Sequence, residues 1–194
     1  MNRYDPETAL IVVDMQNDFA DPKGSLYVDG GDQVVEDVNN EIDRAVRAGA
    51  FVVYTQDWHP ESTPHFAKDG GIWPVHCVGG TWGAEFHPGL ALEGPVVRKG
   101  SNGEDGYSGF TMRDPESAEE IPTNLRSLLE ERGVAKVVVV GLALDYCVKA
   151  TALDASSGYD VTLVSDATAA VDLEEGDGAR ALEELRAAGV MIDG

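Results

Sequence analysis

The apolar run at residues 137–140, four consecutive valines closing on Gly141, constrains this chain more than any other stretch. Four β-branched residues with no polar interruption suit a strand covered on both faces. Such a strand belongs in a parallel sheet with helices on either side, and the rest of the sequence repeats that plan. Residues 9–13 form a short apolar run ending at Asp14. Val34, Val35, Val38, Ile42, Ala45 and Val46 follow helical spacing, and Gly49 is placed to end that helix. Residues 51–54 read as the next strand, ending near Asp57, and residues 95–98 as a third, stopping at Lys99. Pro122, Leu125, Leu128 and Leu129 mark a helix closed by Gly133. Residues 145–157 are expected to be the helix after the valine strand, and residues 161–164 a fifth strand. Ala181, Leu182, Leu185 and Ala188 mark a last helix before the apolar residues 190–192. The expected fold is α/β: three layers, α/β/α, around a central, mostly parallel six-stranded sheet with right-handed crossovers. With no linker, repeat or low-complexity segment, residues 1–194 are expected to form a single domain.

Composition narrows the function. The 194 residues are 43% hydrophobic, enough for a packed core. The net charge of −21 argues against nucleic acid, whose phosphates would be repelled, and against an anionic membrane surface. It fits a solvated acidic face or an adaptation to high salt. No apolar run approaches the roughly 20 residues that span a bilayer. The opening Met1-Asn2-Arg3-Tyr4-Asp5-Pro6 lacks the apolar centre of a signal peptide. A cytoplasmic protein is therefore expected, with Cys77 and Cys147 as reduced thiols.

Residues 57–121 break the rhythm, and this segment holds all four histidines, all three tryptophans and Cys77. A long irregular segment inside a compact fold usually carries function. In open parallel sheets, ligands bind beyond the carboxyl ends of the strands. Asp14, Asp57, Lys99 and Cys147 all fall at that rim. Cys147 is expected in the first helical turn, where unpartnered N–H groups favour a thiolate; the alternative is an inert buried thiol. Asp14 could instead cap the next turn, and Lys99 could be a solvated charge. Together the three make a coherent set: a thiol nucleophile, an acid/base and a cation that steadies both. Asp57 and His59 lie two apart, so in an extended segment they share a face. With His76, and His65 as a less firmly placed fourth ligand, they suit one divalent ion such as zinc, iron(II) or manganese. His87, in a Phe-His-Pro-Gly turn, is set aside. Phe19, Trp73 and Tyr107 lie near these residues and favour a flat substrate stacked among them.

The motifs Val13-Asp14-Met15-Gln16-Asn17-Asp18-Phe19, Asp57-Trp58-His59, Trp73-Pro74-Val75-His76-Cys77, Lys99-Gly100, Tyr107-Ser108-Gly109-Phe110 and Gly141-Leu142-Ala143-Leu144-Asp145-Tyr146-Cys147 resemble those of the isochorismatase-like cysteine hydrolases. Within that superfamily the chain is most similar to the metal-dependent nicotinamidase/pyrazinamidase branch. The resemblance implies a catalytic trio of Asp14, Lys99 and Cys147, and a metal held by Asp57, His59, His76 and, in some members, His65. It implies a cis Leu142–Ala143 peptide, with the N–H groups of Ala143 and Cys147 as oxyanion hole. The implied reaction is hydrolysis of nicotinamide through a cysteine thioester, in NAD salvage. Its partner is that small molecule, and a homo-oligomer is left open. Leu144 departs from the pattern, since relatives carry Thr or Ser there. Two other readings are an amidohydrolase acting on an N-carbamoyl or ureido compound, and a non-catalytic module in which Asp57, His59 and His76 hold a structural ion.

Overall fold

The computed structural model describes residues 3–194; Met1 and Asn2, the first residues of the stretch read as lacking a leader, lie outside them. In chain order the elements are β1 (Thr8–Val13), α1 (Asn17–Ala20), α2 (Val34–Arg47), β2 (Phe51–Asp57), β3 (Val96–Lys99), β4 (Thr111–Arg113), β5 (Glu120–Pro122), α3 (Leu125–Glu131), β6 (Lys136–Leu142), α4 (Lys149–Ser156), β7 (Asp160–Ala169), α5 (Asp177–Ala187) and β8 (Met191–Asp193). Six strands form one sheet in the order β3-β2-β1-β6-β7-β8, and every pairing in it is parallel. Among the described residues no helix is long and apolar enough to cross a membrane.

Alternation along the strands builds two cores. Leu10, Val12, Val52, Tyr54, Val138 and Val140 face one side, where Val34, Val35, Val38, Ile42 and Ala45 of α2 cover them. Ala9, Ile11, Val13, Val53, Val137 and Val139 face the other, under α3, α4 and α5. Full burial of each such side chain contributes about 1.5–3 kcal/mol. The helix α2 carries Glu36 and Asp37 in its first turn and Arg44 and Arg47 in its last, the arrangement that complements its dipole.

Register then fixes the rim. Val13 pairs with Gly141, and Asp57 pairs with Lys99, so the polar residues closing these strands come level with one another. Gly141 has φ +111°, and a Cβ there would lie 2.1 Å from the Val13 carbonyl oxygen. Only glycine lets β6 approach β1 this closely beneath Asp14.

Three local expectations are corrected. Pro122 lies in β5, and the helix after it starts at Leu125, because proline has no N–H to give a helix interior. The segment after β6 is a π-helical turn, Leu144–Val148, that becomes α-helical only at Lys149. The stretch 57–121 contains a small antiparallel hairpin, β4 with β5, that carries no periodic apolar signal.

Candidate active site

Asp14 follows β1 with φ +46°, a left-handed conformation that side chains other than glycine rarely adopt. Its carboxylate is fully buried. Oδ1 accepts a hydrogen bond from the Thr55 hydroxyl at 2.7 Å. The Lys99 ammonium lies 2.9 Å from Oδ2, as an ion-pair contact. The same ammonium donates to the Asp57 carboxylate and, at 3.6 Å, to the Cys147 sulfur. One cation, itself buried, thus joins two carboxylates and a thiol whose polar atoms lie within 4.8 Å of one another.

The protonation states follow from this crowding. Burial disfavours the Lys99 charge, but Asp14 and Asp57 hold its pKa well above the ordinary lysine value. Burial also works against the Asp57 anion, yet Lys99, His59 and His76 outweigh it and keep that carboxyl well below the ordinary aspartate range. Asp14 goes the other way: burial and the Asp57 charge raise it, against the opposing pull of Lys99 and Thr55. For Cys147, burial pushes the thiol well up, Lys99 opposes, and the two carboxylates add to the rise. The thiolate expected from a helix N-terminus is therefore corrected. The sulfur sits in a buried π turn beside two acids, and burial and both acids work against its anion.

Beside the trio, His59, His65 and His76 each bring a ring nitrogen within 4.8 Å of the others. Asp57 Oδ2 lies 3.7 Å from His59 Nε2 and 3.9 Å from His76 Nε2. His76 Nδ1 is 2.7 Å from the Pro74 carbonyl oxygen, so it carries the proton and Nε2 is left with a lone pair. Burial lowers the His76 pKa to about 4, which keeps the ring neutral near pH 7. Both ring nitrogens of His59 are buried with no protein partner. Orphaned buried nitrogens, imidazole rings and one carboxylate are the donor set that a borderline divalent cation takes.

These groups open into a narrow cavity. Phe19, Trp73 and Tyr107 line it, together with Ala143 and Cys147. The Trp73 indole N–H donates to the Tyr107 hydroxyl at 3.0 Å. The Leu142–Ala143 peptide is cis.

A model of the isochorismatase domain matches residues 8–193. This chain belongs to the isochorismatase family. Its similarity is to the nicotinamidase/pyrazinamidase members. It is 40% identical to the nicotinamidase/pyrazinamidase of Mycobacterium tuberculosis over 191 residues, covering 95% of this chain and 97% of that one. The pyrazinamidase of Pyrococcus horikoshii, solved with zinc, is 42% identical and superposes with a TM-score of 0.85 over 96% of this chain and 98% of its own. The PnC1 protein of L. infantum, solved with nicotinate, is 37% identical, with a TM-score of 0.86 over 99% and 93%.

In this isochorismatase-family chain, Asp14, Asp57, Lys99 and Cys147 lie beside His59 and His76, and Phe19, Trp73, Tyr107 and Ala143 line the adjoining cavity. His65 joins the imidazole cluster, while His87 stays apart and its Nδ1 accepts the Gly89 N–H. Asp14 does not cap the turn that follows it; its oxygens are spent on Thr55 and Lys99. Leu144 is buried in the apolar cluster under α5. Sequence reasoning missed Tyr146, which packs edge-on against Trp73 at 4.9 Å and against Tyr107 at 5.2 Å, and lines the cavity. Its place next to Cys147 was the available signal. Also missed was the work of the residues between Asp14 and Phe19. Gln16 Nε2 donates to the carbonyls of Asp57 at 2.7 Å and Ala84 at 2.9 Å, while its Oε1 accepts the Asp57 N–H. Asn17 donates to the Trp82 carbonyl at 2.8 Å. Asp18 accepts the N–H groups of Cys77 at 2.7 Å and Ser25 at 2.9 Å. These three side chains clamp the segment that carries His76. Gly83 lies against the Asp18 carboxylate so tightly that a Cβ would fall 2.1 Å from its oxygen.

Proposed function

We propose that this chain hydrolyses nicotinamide to nicotinate and ammonia through a thioester on Cys147, and that it acts on the related amide pyrazinamide. The observation that carries this reading is the Lys99 ammonium, in contact with the carboxylate of Asp14 and 3.6 Å from the sulfur of Cys147 at the floor of an aromatic cavity. A thiol raised by burial must lose its proton during attack rather than before it. Asp14, which burial and Asp57 raise as well, is placed to take that proton and to return it. As sulfur bonds to the carboxamide carbon, Asp14 accepts the thiol proton. It then gives the proton to the departing nitrogen, and the C–N bond breaks to release ammonia. Water attacks the thioester while Asp14 takes its proton. The C–S bond breaks, Asp14 reprotonates the sulfur, and nicotinate leaves. The backbone N–H groups of Ala143 and Cys147 hold the oxyanion, and each such donor contributes about 3 kcal/mol. Phe19, Trp73 and Tyr107 orient the ring. Lys99 keeps its charge throughout and restrains both acids.

Asp57, His59, His76 and His65 would hold one divalent ion, zinc as in the Pyrococcus horikoshii relative or iron(II) or manganese. Such an ion supplies a Lewis acid at the ring end of the substrate. We read the protein as one cytoplasmic unit over residues 1–194 that serves NAD salvage. Its partner is a small molecule, and nucleic acid and anionic membranes are disfavoured by the net charge of −21. The test is ammonia release from nicotinamide by the purified protein, with metal analysis of the same sample. Inert nicotinamide beside an active N-carbamoyl amide would replace this reading with the other amidohydrolase.

A further inference from the structure

We propose that Asp105 is a positioning residue of the metal centre, holding His65 with its free ring nitrogen turned toward His59 and His76. The inference rests on the metal-dependent reading above and goes one shell further out.

The three imidazoles of the cluster are anchored differently. His76 is fixed by a neutral carbonyl; the His59 ring nitrogens have no hydrogen-bond partner among the described residues, and His59 is held through its main chain, whose N–H donates to the Cys77 carbonyl at 2.9 Å. His65 Nδ1 lies 2.7 Å from Asp105 Oδ1. A carboxylate accepts only, so Nδ1 carries the proton and Nε2 keeps its lone pair. A carboxylate behind an imidazole also makes the ring a stronger ligand. His65 needs such an anchor more than the others do. Asp57 ends a strand and His59 follows it closely, whereas His65 sits in irregular chain. Its ring is otherwise set only by packing, stacked on His59 at 5.0 Å and 22° and edge-on to Tyr107 at 6.1 Å.

Asp105 is built to present its carboxylate. Its backbone N–H donates to the Arg113 carbonyl at 2.8 Å, and the Arg113 N–H returns a bond at 2.6 Å. Oδ1 also accepts the Gly106 N–H at 2.8 Å. The main-chain bonds survive any side chain at 105, and the Asp105 side chain is 49% exposed. Its removal leaves no buried cavity, so the anchor can be deleted without deleting its frame. Tyr107 follows two residues later, so one loop sets both a metal ligand and a wall of the cavity.

The experiment compares zinc affinity, by chelator competition, in wild type, Asp105→Asn, Asp105→Ala, His65→Ala and the Asp105→Ala/His65→Ala double variant. Visible absorption of the cobalt(II)-loaded proteins reports the ligand set. Asp105→Ala is expected to weaken zinc binding about 10–100-fold. Asp105→Asn is expected to lose less, because its amide oxygen still accepts from Nδ1. In the His65→Ala background the Asp105→Ala effect should vanish. Unchanged affinity and unchanged cobalt absorption in Asp105→Ala would overturn the assignment, as would an undiminished effect in the double variant. A wild-type protein that holds no divalent ion would instead overturn the metal centre itself, a result distinct from either.

Discussion

The thiol–lysine–carboxylate trio and the histidine cluster share Asp57 and lie side by side, but the chain holds them by different means. Asp14, Lys99 and Cys147 stand at or just beyond the ends of β1, β3 and β6, and ladder register brings the first two level with their neighbours. The cluster hangs on irregular chain between β2 and β3, gripped by single side-chain bonds from Gln16, Asn17 and Asp18. A strand end is placed by many mutually redundant bonds, whereas a clamped loop depends on each one. Single substitutions should therefore separate the two halves. The exceptions should be Asp57, which both halves share, and Lys99, which touches Asp14, Asp57 and Cys147 at once.

The largest effect is expected from Cys147→Ala. Ammonia release from nicotinamide should fall by at least about 10⁴-fold, the scale lost when a nucleophile is removed. Bound metal should stay at the wild-type level, since the sulfur is not among the imidazole group. Metal content that falls together with activity would erase the distinction between the halves. Next comes Lys99→Ala, which leaves two buried carboxylates facing each other without their cation. Breaking a buried pair in this way costs about 3–5 kcal/mol. Denaturant unfolding should show the loss, and Lys99→Met should show it too, because charge rather than volume is missing. A Lys99→Met protein as stable as wild type would mean that the ammonium is not the bridge.

The same division governs what could be read from the sequence. Asp14 and Lys99 were legible because each closes a strand-like run, and a polar residue ending a buried strand has few places to go but the rim; Cys147 was legible because it lies in the turn that follows the valine strand. Asp57, His59 and His76 were legible by spacing and residue type. That Asp57 would also pair with Lys99 was not, because the register of β2 on β3 decides it. The π turn at Leu144–Val148 leaves no mark in residue order, since its hydrophobic residues fit α-helical spacing equally well. The hairpin β4–β5 is too short and too exposed to show a period. Gln16, Asn17 and Asp18 looked like an ordinary polar turn. Their partners are main-chain groups some 60 residues away, and side-chain–to–main-chain bonds of that kind carry no pairwise sequence code.

Asp18→Ala is the direct test of the clamp. It strips the acceptor from the Cys77 and Ser25 N–H groups, and the buried Cys77 N–H is left unpaired at a cost of about 1–3 kcal/mol. His76 precedes Cys77, so zinc affinity should drop. The rate at which iodoacetamide alkylates Cys147 in the metal-free protein should not change. Faster or slower alkylation would show that the loop and the trio are one mechanical unit.

Within the trio, a gentler probe is pH. Asp14 must be ionised to accept the thiol proton, and its pKa is raised above the ordinary aspartate value of 3.8 by burial and by Asp57. As pH falls through that raised value the ionised fraction shrinks. The acid limb of kcat/KM should therefore lie above the ordinary aspartate range and fall about tenfold per pH unit. Thr55→Val removes the hydroxyl that stabilises the anion, so the limb should move to higher pH. A limb that stays in place would take Asp14 out of the proton path.

The smallest effect is expected at the cavity wall. Tyr107→Phe keeps the ring but deletes the oxygen that accepts the Trp73 indole N–H at 3.0 Å. A neutral hydrogen bond of this kind contributes about 1 kcal/mol, or roughly fivefold in an equilibrium. Trp73 is also packed against Tyr146, so its ring should lose alignment rather than position. KM for nicotinamide should rise several-fold while kcat changes little, because the lost bond orients the ring in ground state and transition state alike. A fall in kcat with KM unchanged would mean that the Tyr107 hydroxyl touches the reacting amide, and the boundary between wall and chemistry would have to move inward to include it.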